Sequence, residues 1–145
     1  MNKFFKLITF ISLSLVSSNL AIGKENFFNE AMKMFDSEKY DDARFMLERN
    51  IVYNPKDAKS YLYLAKIYNH EKNQKKEEYN LETALLIEPN NEEVILMLMK
   101  IALVKSNYSK VKDLSQTFIK VCDKLCNEND QIHETLKNIE PKNES

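Results

Sequence analysis

An internal repeat constrains the fold of this 145-residue chain more than any other feature of its sequence. Two of its three prolines, Pro55 and Pro89, lie 34 positions apart, and each follows a run of apolar residues with helical spacing. When the two segments are aligned on these prolines, Ala31 falls on Ala65. A unit with this period cannot bury its apolar face alone, so the chain is expected to stack its repeats against one another.

Each copy of the repeat predicts two helices joined by a short turn. In the second copy, apolar side chains recur at spacings i, i+3, i+4 and i+7 on one helical face, namely Tyr61, Leu64, Ala65 and Tyr68. The polar residues 69–73 predict the turn, and the second helix ends before Pro89 because a residue that precedes proline disfavours helical geometry. The expected fold class is therefore all-α, a helix-turn-helix solenoid of about three repeats.

The chain contains one glycine, Gly23, and its formal net charge is −1. Without further glycines it lacks the phosphate-binding loops, dinucleotide-binding turns and nucleophile elbows of many enzymes. A charge so close to zero offers no bulk attraction for nucleic acid. We therefore expect a protein that is not an enzyme, needs no cofactor and does not bind nucleic acid.

The second copy resembles the tetratricopeptide repeat, a helix-turn-helix unit with the same period. The residues that carry the resemblance stand at the family's spacings and are Tyr61, Leu64, Ala65, Tyr68, Leu81, Ala84 and Pro89. The first copy departs from the family at Glu30 and Asn50, where Leu and Ala are preferred. The second copy departs at Glu77, where a small residue is usual, and the third copy lacks the closing proline.

The resemblance implies a helical domain over residues 24–139. Its three repeats are expected at about residues 24–57, 58–91 and 92–125. Residues 129–139 predict a further helix that caps the open end of the stack, because Ile132, Leu136 and Ile139 recur at i, i+4 and i+7. Residues 140–145 predict a frayed tail.

Residues 1–23 have the pattern of a signal peptide. Lys3 and Lys6 precede an apolar stretch, and Ala21 and Gly23 supply small residues at the −3 and −1 positions of a cleavage site before Lys24. The alternative is an uncleaved anchor, although the apolar stretch falls short of the roughly 20 residues that span a bilayer. We expect an exported protein, periplasmic in a Gram-negative bacterium and without membrane contact after cleavage.

The two cysteines, Cys122 and Cys126, predict a disulfide. On a helix, residues four apart place their Cα atoms about 6 Å apart, within the range that a disulfide accepts, and an exported protein meets oxidising conditions. The alternative is a pair of buried thiols. A metal site formed with His133 would lack a fourth ligand and has no standard zinc spacing, so no metal is expected.

In tetratricopeptide solenoids the first helix of each repeat lines a concave surface that binds peptide or protein segments. The resemblance therefore implies a groove lined by first-helix residues off the packing stripe, and these are Phe28, Met32, Phe35, Leu62, Lys66, Asn69, Leu96, Lys100 and Leu103. An apolar strip beside two lysines predicts a partner with apolar anchors and an acidic group. Alternatively, these residues face solvent or a second subunit. Four methionines on first helices predict either helix packing or an adaptable peptide lining, and these are Met32, Met34, Met97 and Met99.

The expected function is non-catalytic binding of a protein or peptide in the periplasm, as a scaffold or assembly adaptor. The alternative is a structural subunit that forms a homo-oligomer through the solenoid.

Overall fold

The computed structural model describes residues 26–139, and the predicted signal peptide (1–23) and predicted tail (140–145) lie outside this range. The helices within it are α1 (Asn26–Asp36), α2 (Tyr40–Tyr53), α3 (Ala58–His70), α4 (Gln74–Ile87), α5 (Glu92–Val104), α6 (Tyr108–Val121) and α7 (Cys126–Ile139). This part of the chain contains helices and turns but no strand, which confirms the all-α helical-repeat fold. None of these helices is both long and apolar enough to cross a bilayer.

The helices begin at intervals set by the repeat. Helices α2, α4 and α6 begin at residues 40, 74 and 108, and α3, α5 and α7 begin at residues 58, 92 and 126. Each series therefore keeps the period that separates Pro55 from Pro89. Helix α7 begins three residues earlier than the predicted capping helix, because it occupies the place of a first helix in the next repeat.

The turn inside each repeat depends on a residue with left-handed backbone geometry. Glu38, Lys72 and Ser106 have φ angles of 58°, 57° and 55°, and they are spaced by exactly one period. In each turn the amide of the following residue donates to a carbonyl five residues back, as from Asn107 to Ala102 at 2.8 Å. This is the Schellman ending of a helix, which glycine usually supplies. The repeat thus makes its turns without glycine.

The chain divides into two compact units, with α1 and α2 in the first and α3 to α7 in the second. In the first unit, Ala31, Ala43 and Leu47 are fully buried. Phe27 stacks on Tyr53 with ring centroids 5.6 Å apart. These contacts hold α1 against α2.

The second unit has two apolar clusters that share α5. The α3–α5 cluster comprises Leu62, Ala65, Leu81, Ala84, Val94, Leu98 and Ile101. The α5–α7 cluster comprises Ile95, Leu96, Met99, Ala102, Val111, Phe118, Ile132 and Leu136. Helix α5 therefore buries side chains on several sides, which explains why its sequence is almost continuously apolar.

The second helix of each repeat buries side chains at three equivalent positions. These side chains are Ala43, Leu47 and Asn50 in α2, Glu77, Leu81 and Ala84 in α4, and Val111, Ser115 and Phe118 in α6. The three buried positions recur with the period, but the residue types at them do not. Each repeat has one polar residue among the three. Buried polar groups need hydrogen-bond partners. Ser115, for example, donates to Asn129 Oδ1 at 2.8 Å and lies 2.7 Å from His133 Nε2, which joins α6 to α7.

Replacing Ser106 by glycine should stabilise the second unit. A residue with a Cβ atom pays a steric cost in left-handed geometry that glycine avoids, so we expect the free energy of unfolding to rise by about 0.5–1 kcal/mol. Thermal and denaturant unfolding would measure this gain.

Gln116→Gly provides the matched control, because Gln116 is exposed in the middle of α6. Glycine there should cost about 0.5–1 kcal/mol. If Ser106→Gly is as destabilising as this control, residue 106 does not hold left-handed geometry in solution.

Candidate functional site

The structure contradicts the prediction that Leu62 and Leu96 line an open groove. Each side chain is 5% exposed. Leu62 belongs to the α3–α5 cluster with Val94 and Leu98, and Leu96 belongs to the α5–α7 cluster with Ile132. Each leucine thus packs toward the next first helix along the stack. The groove prediction assumed that each first helix has one apolar stripe and packs against one neighbouring helix. These first helices contact neighbouring helices on more than one side.

Leu103 is half-buried and packs against the α5–α7 cluster, so it also contributes to the core. Phe28, Met32 and Phe35 lie on α1 in the first unit and are half-buried. The ring of Phe35 meets that of Tyr40 edge-on at 5.5 Å. That these three α1 residues line a groove stays a prediction.

The two lysines of the predicted groove are engaged within the chain. Lys66 Nζ lies 2.8 Å from Glu93 of α5, and Lys100 Nζ lies 2.9 Å from Glu128 of α7. The Lys66 ammonium also lies 4.6 Å from the centre of the Tyr63 ring. Each lysine therefore pairs with a glutamate at the start of the next first helix. Their charges are largely compensated, which weakens the prediction that they attract an acidic partner.

A concave pocket of about 320 Å³ opens beside the first helices of the second unit, and we call it the Met97 pocket. Its walls are Asn69 at the end of α3, Gln74 and Glu77 at the start of α4, and Met97, Lys100, Ile101 and Val104 on α5. Of the predicted groove residues, it therefore brings together Asn69 and Lys100. Val104 at its edge is 75% exposed, although its side chain is apolar.

Glu77 forms the polar wall of the Met97 pocket and is 5% exposed. Asn69 Nδ2 donates a hydrogen bond to Glu77 Oε1 at 2.9 Å. Burial raises the pKa of the Glu77 carboxyl, the hydrogen bond from Asn69 opposes that rise, and the charge of neighbouring Glu78 adds to it. The pocket thus contains a carboxylate that is largely removed from water.

Cys122 and Cys126 lie at the corner between α6 and α7 and are joined by a disulfide, with their Cα atoms 5.2 Å apart. Cys122 follows the last residue of α6, and Cys126 begins α7. The sequence argument placed both cysteines on one helix, whereas the structure ends that helix at Val121.

The loop between the cysteines holds the carboxylate of Glu92. The amides of Asp123, Lys124 and Leu125 donate to Glu92 oxygens at 2.7, 3.1 and 3.2 Å. These bonds, that of Asp123 foremost, lower the pKa of Glu92. They tie the α6–α7 corner to the start of α5. No group of three metal-ligating side chains occurs within residues 26–139.

Sequence reasoning missed four of the seven walls of the Met97 pocket, namely Gln74, Glu77, Ile101 and Val104. Glu77 stood out only as a departure from the repeat, and the other three were not predicted as site residues. The departure at Glu77 was a usable signal, because a glutamate at a position that is otherwise small must either distort the packing or acquire a polar partner. Of the four methionines, Met99 is fully buried, whereas Met97 packs against the α3–α5 cluster and also lines this pocket. That Met97 contacts a peptide stays a prediction.

Replacing Glu77 by glutamine should raise the melting temperature at neutral pH. The raised pKa means that the folded protein holds this proton more tightly than the unfolded chain, so ionised Glu77 disfavours folding above both pKa values. The gain of Glu77→Gln over wild type should shrink as the pH falls through the raised pKa. Thermal melts across a pH series would measure it.

Glu48→Gln is the control, because Glu48 is exposed on α2. It should show no comparable gain at neutral pH. A Glu77→Gln variant that melts below wild type at neutral pH would contradict the account of a buried, poorly compensated carboxylate.

No protein-family model matches the sequence, and no curated protein is similar enough to count as a relative. Solved structures are similar in fold. The TPR2B domain of yeast Sti1, in a complex with pHsp70, superposes with a TM-score of 0.69 at 15% identity, over 81% of this chain and 98% of that chain. The type III secretion chaperone SycD of Yersinia enterocolitica, with a peptide of the translocator YopD, gives 0.68 at 13% identity, over 86% and 95%.

The second TPR domain of human RPAP3, in complex with the HSP70 peptide SGPTIEEVD, gives a TM-score of 0.65 at 15% identity, over 78% of this chain and 97% of that chain. At such identities the likeness establishes the fold and not the partner. It agrees with the resemblance seen in the sequence repeat. The chain therefore has the tetratricopeptide-repeat fold.

Proposed function

We propose that this protein binds a segment of another polypeptide and catalyses no reaction, acting as a scaffold or assembly adaptor. The binding surface is formed by α3 and α5 and centred on the Met97 pocket. The observation that carries the proposal is the exposed apolar side chain of Val104 at the edge of a pocket whose other walls include amide groups. Apolar pockets with a few polar groups are typical of sites that bind ligands.

The pocket has the groups that an extended peptide requires. Met97 and Val104 offer apolar contact, and the flexible thioether of a methionine adapts to different side chains. Asn69 and Gln74 carry amide groups that can exchange hydrogen bonds with a peptide backbone. Backbone hydrogen bonds contribute affinity in such complexes, while side-chain pockets give specificity.

Because of ion pairs within the chain, we no longer expect an acidic group of the partner to be recognised by Lys66 and Lys100. Because Lys66 pairs with Glu93 and Lys100 with Glu128, an acidic partner would have to compete with both glutamates. We therefore propose that apolar contact and hydrogen bonding dominate the affinity. The similar structures support polypeptide binding in general, because those of Sti1, SycD and RPAP3 were solved with peptide or protein partners.

We further propose that the protein acts after export, in the periplasm. The signal-like pattern of residues 1–23 and the cysteine pair support this, because disulfides persist in oxidising compartments. N-terminal sequencing of the protein from exported fractions should find Lys24 first. A membrane-bound protein that retains Met1 would contradict cleavage.

Val104→Ser should weaken partner binding without affecting folding. Burying most of a valine contributes roughly 1–2 kcal/mol, so we expect an affinity loss of about tenfold. The partner would first be captured in cells by a photoreactive amino acid at position 97 and identified by mass spectrometry. Calorimetry with the captured polypeptide would then compare the variants.

Val52→Ser is the matched control, because Val52 on α2 is 78% exposed and Val104 is 75% exposed. It should leave both binding and melting unchanged. Equal affinities for wild type and Val104→Ser would contradict the proposed surface.

A further inference from the structure

Glu77 is a buried carboxylate without a cation. Its side chain accepts a hydrogen bond from the neutral amide of Asn69, and no lysine, arginine or histidine of residues 26–139 forms an ion pair with it. Burying a charge is costly unless the charge is paired. Glu77 is therefore a buried carboxylate whose hydrogen-bond partner within residues 26–139 is a neutral amide.

Although it is nearly buried, Glu77 lines a pocket. It lies in the wall of the Met97 pocket, whose volume of about 320 Å³ accommodates one long side chain. Lys100 lies in the same pocket, but its ammonium is 2.9 Å from Glu128 of α7. Of the two charged side chains that line the pocket, Lys100 therefore has an ion-pair partner and Glu77 has none within residues 26–139.

The α5 side of the Met97 pocket is mostly apolar. Met97, Ile101 and Val104 of α5 line the same concavity. Lysine and arginine combine a flexible apolar stem with a cationic head, and they bury the stem along apolar surface while the head finds a polar partner. Apolar side chains beside a buried carboxylate fit this shape and charge.

We propose that the Met97 pocket receives a lysine or arginine side chain of the bound polypeptide, with its stem on Met97 and Val104 and its cation on Glu77. The inference rests on the proposed function, since it specifies which residue of the partner enters the pocket. Burial removes water from the Glu77 carboxylate, and the cation of the bound side chain would take the place of that water. A hydrogen bond between charged groups is stronger than one between neutral groups. The raised pKa of Glu77 agrees with a carboxylate that lacks such a partner in the free protein.

Blocked tripeptides test this inference without knowledge of the natural partner. One carries a central lysine, and the other carries norleucine, which has an apolar chain of similar length and no charge. Nuclear magnetic resonance titration of the full chain would give both affinities from the shifts of Asn69, Glu77 and Met97. Wild type should bind the lysine peptide about tenfold more tightly than the norleucine peptide.

Glu77→Gln should abolish this preference, because it keeps an acceptor for the hydrogen bond from Asn69 but removes the charge. The ratio of the two affinities should fall to about one, and Glu48→Gln should retain the wild-type ratio. Circular dichroism would verify that both variants fold. A substitution that weakens the binding of both peptides equally leaves the ratio of their affinities unchanged.

The inference is overturned if wild type binds both peptides equally, if Glu77→Gln keeps the preference, or if the lysine peptide causes no shifts at the pocket. These results concern the charge of Glu77 alone. Failure of the proposed function would show separately, as a natural partner whose affinity is unaffected by Val104→Ser.

Discussion

The structure depends on the packing of each inner first helix against more than one neighbour. Helix α5 contacts α4, α6 and α7, and two apolar clusters meet on its surface. Six positions that are buried in α3 recur one period later as buried positions of α5, and they include Leu62 and Leu96. Only a narrow strip of α5 stays exposed or half-buried, and it includes Met97 and Val104. That strip borders Asn69 at the end of α3 and Gln74 and Glu77 at the start of α4.

The period of the sequence was sufficient to predict the fold, because a short repeat with two apolar helical runs has few stable solutions. Pro55 and Pro89 marked the ends of second helices, and the structure ends α2 at Tyr53 and α4 at Ile87. The start of α7 was predicted three residues late, because residues 127–130 (Asn-Glu-Asn-Asp) include helix-capping residue types and so resemble a helix start. Counting one further period from Glu92 would have placed it at Cys126.

The site was predicted less well, since the faces of a helix cannot be assigned from its own sequence when several neighbours surround it. The periodicity identified Leu64, Ala65 and Tyr68 as buried, and they are. It could not show that Leu62 also meets α5, which depends on how successive repeats stack. The ion pairs of Lys66 and Lys100 could not be predicted either, because each joins two successive first helices. Glu77 illustrates the reverse case, because a departure from the family pattern pointed to a buried carboxylate whose hydrogen-bond partner, Asn69, only the structure reveals.

The most direct test of this account compares the stabilities of Leu62→Ala and Leu64→Ala. If first helices are buried on several sides, both variants should lose about 2–5 kcal/mol of unfolding free energy, and the binding of a captured partner per folded molecule should stay unchanged. Denaturant unfolding monitored by circular dichroism measures both losses. If Leu62→Ala unfolds like wild type and instead weakens binding, Leu62 faces the partner, and the packing described for the first helices is wrong.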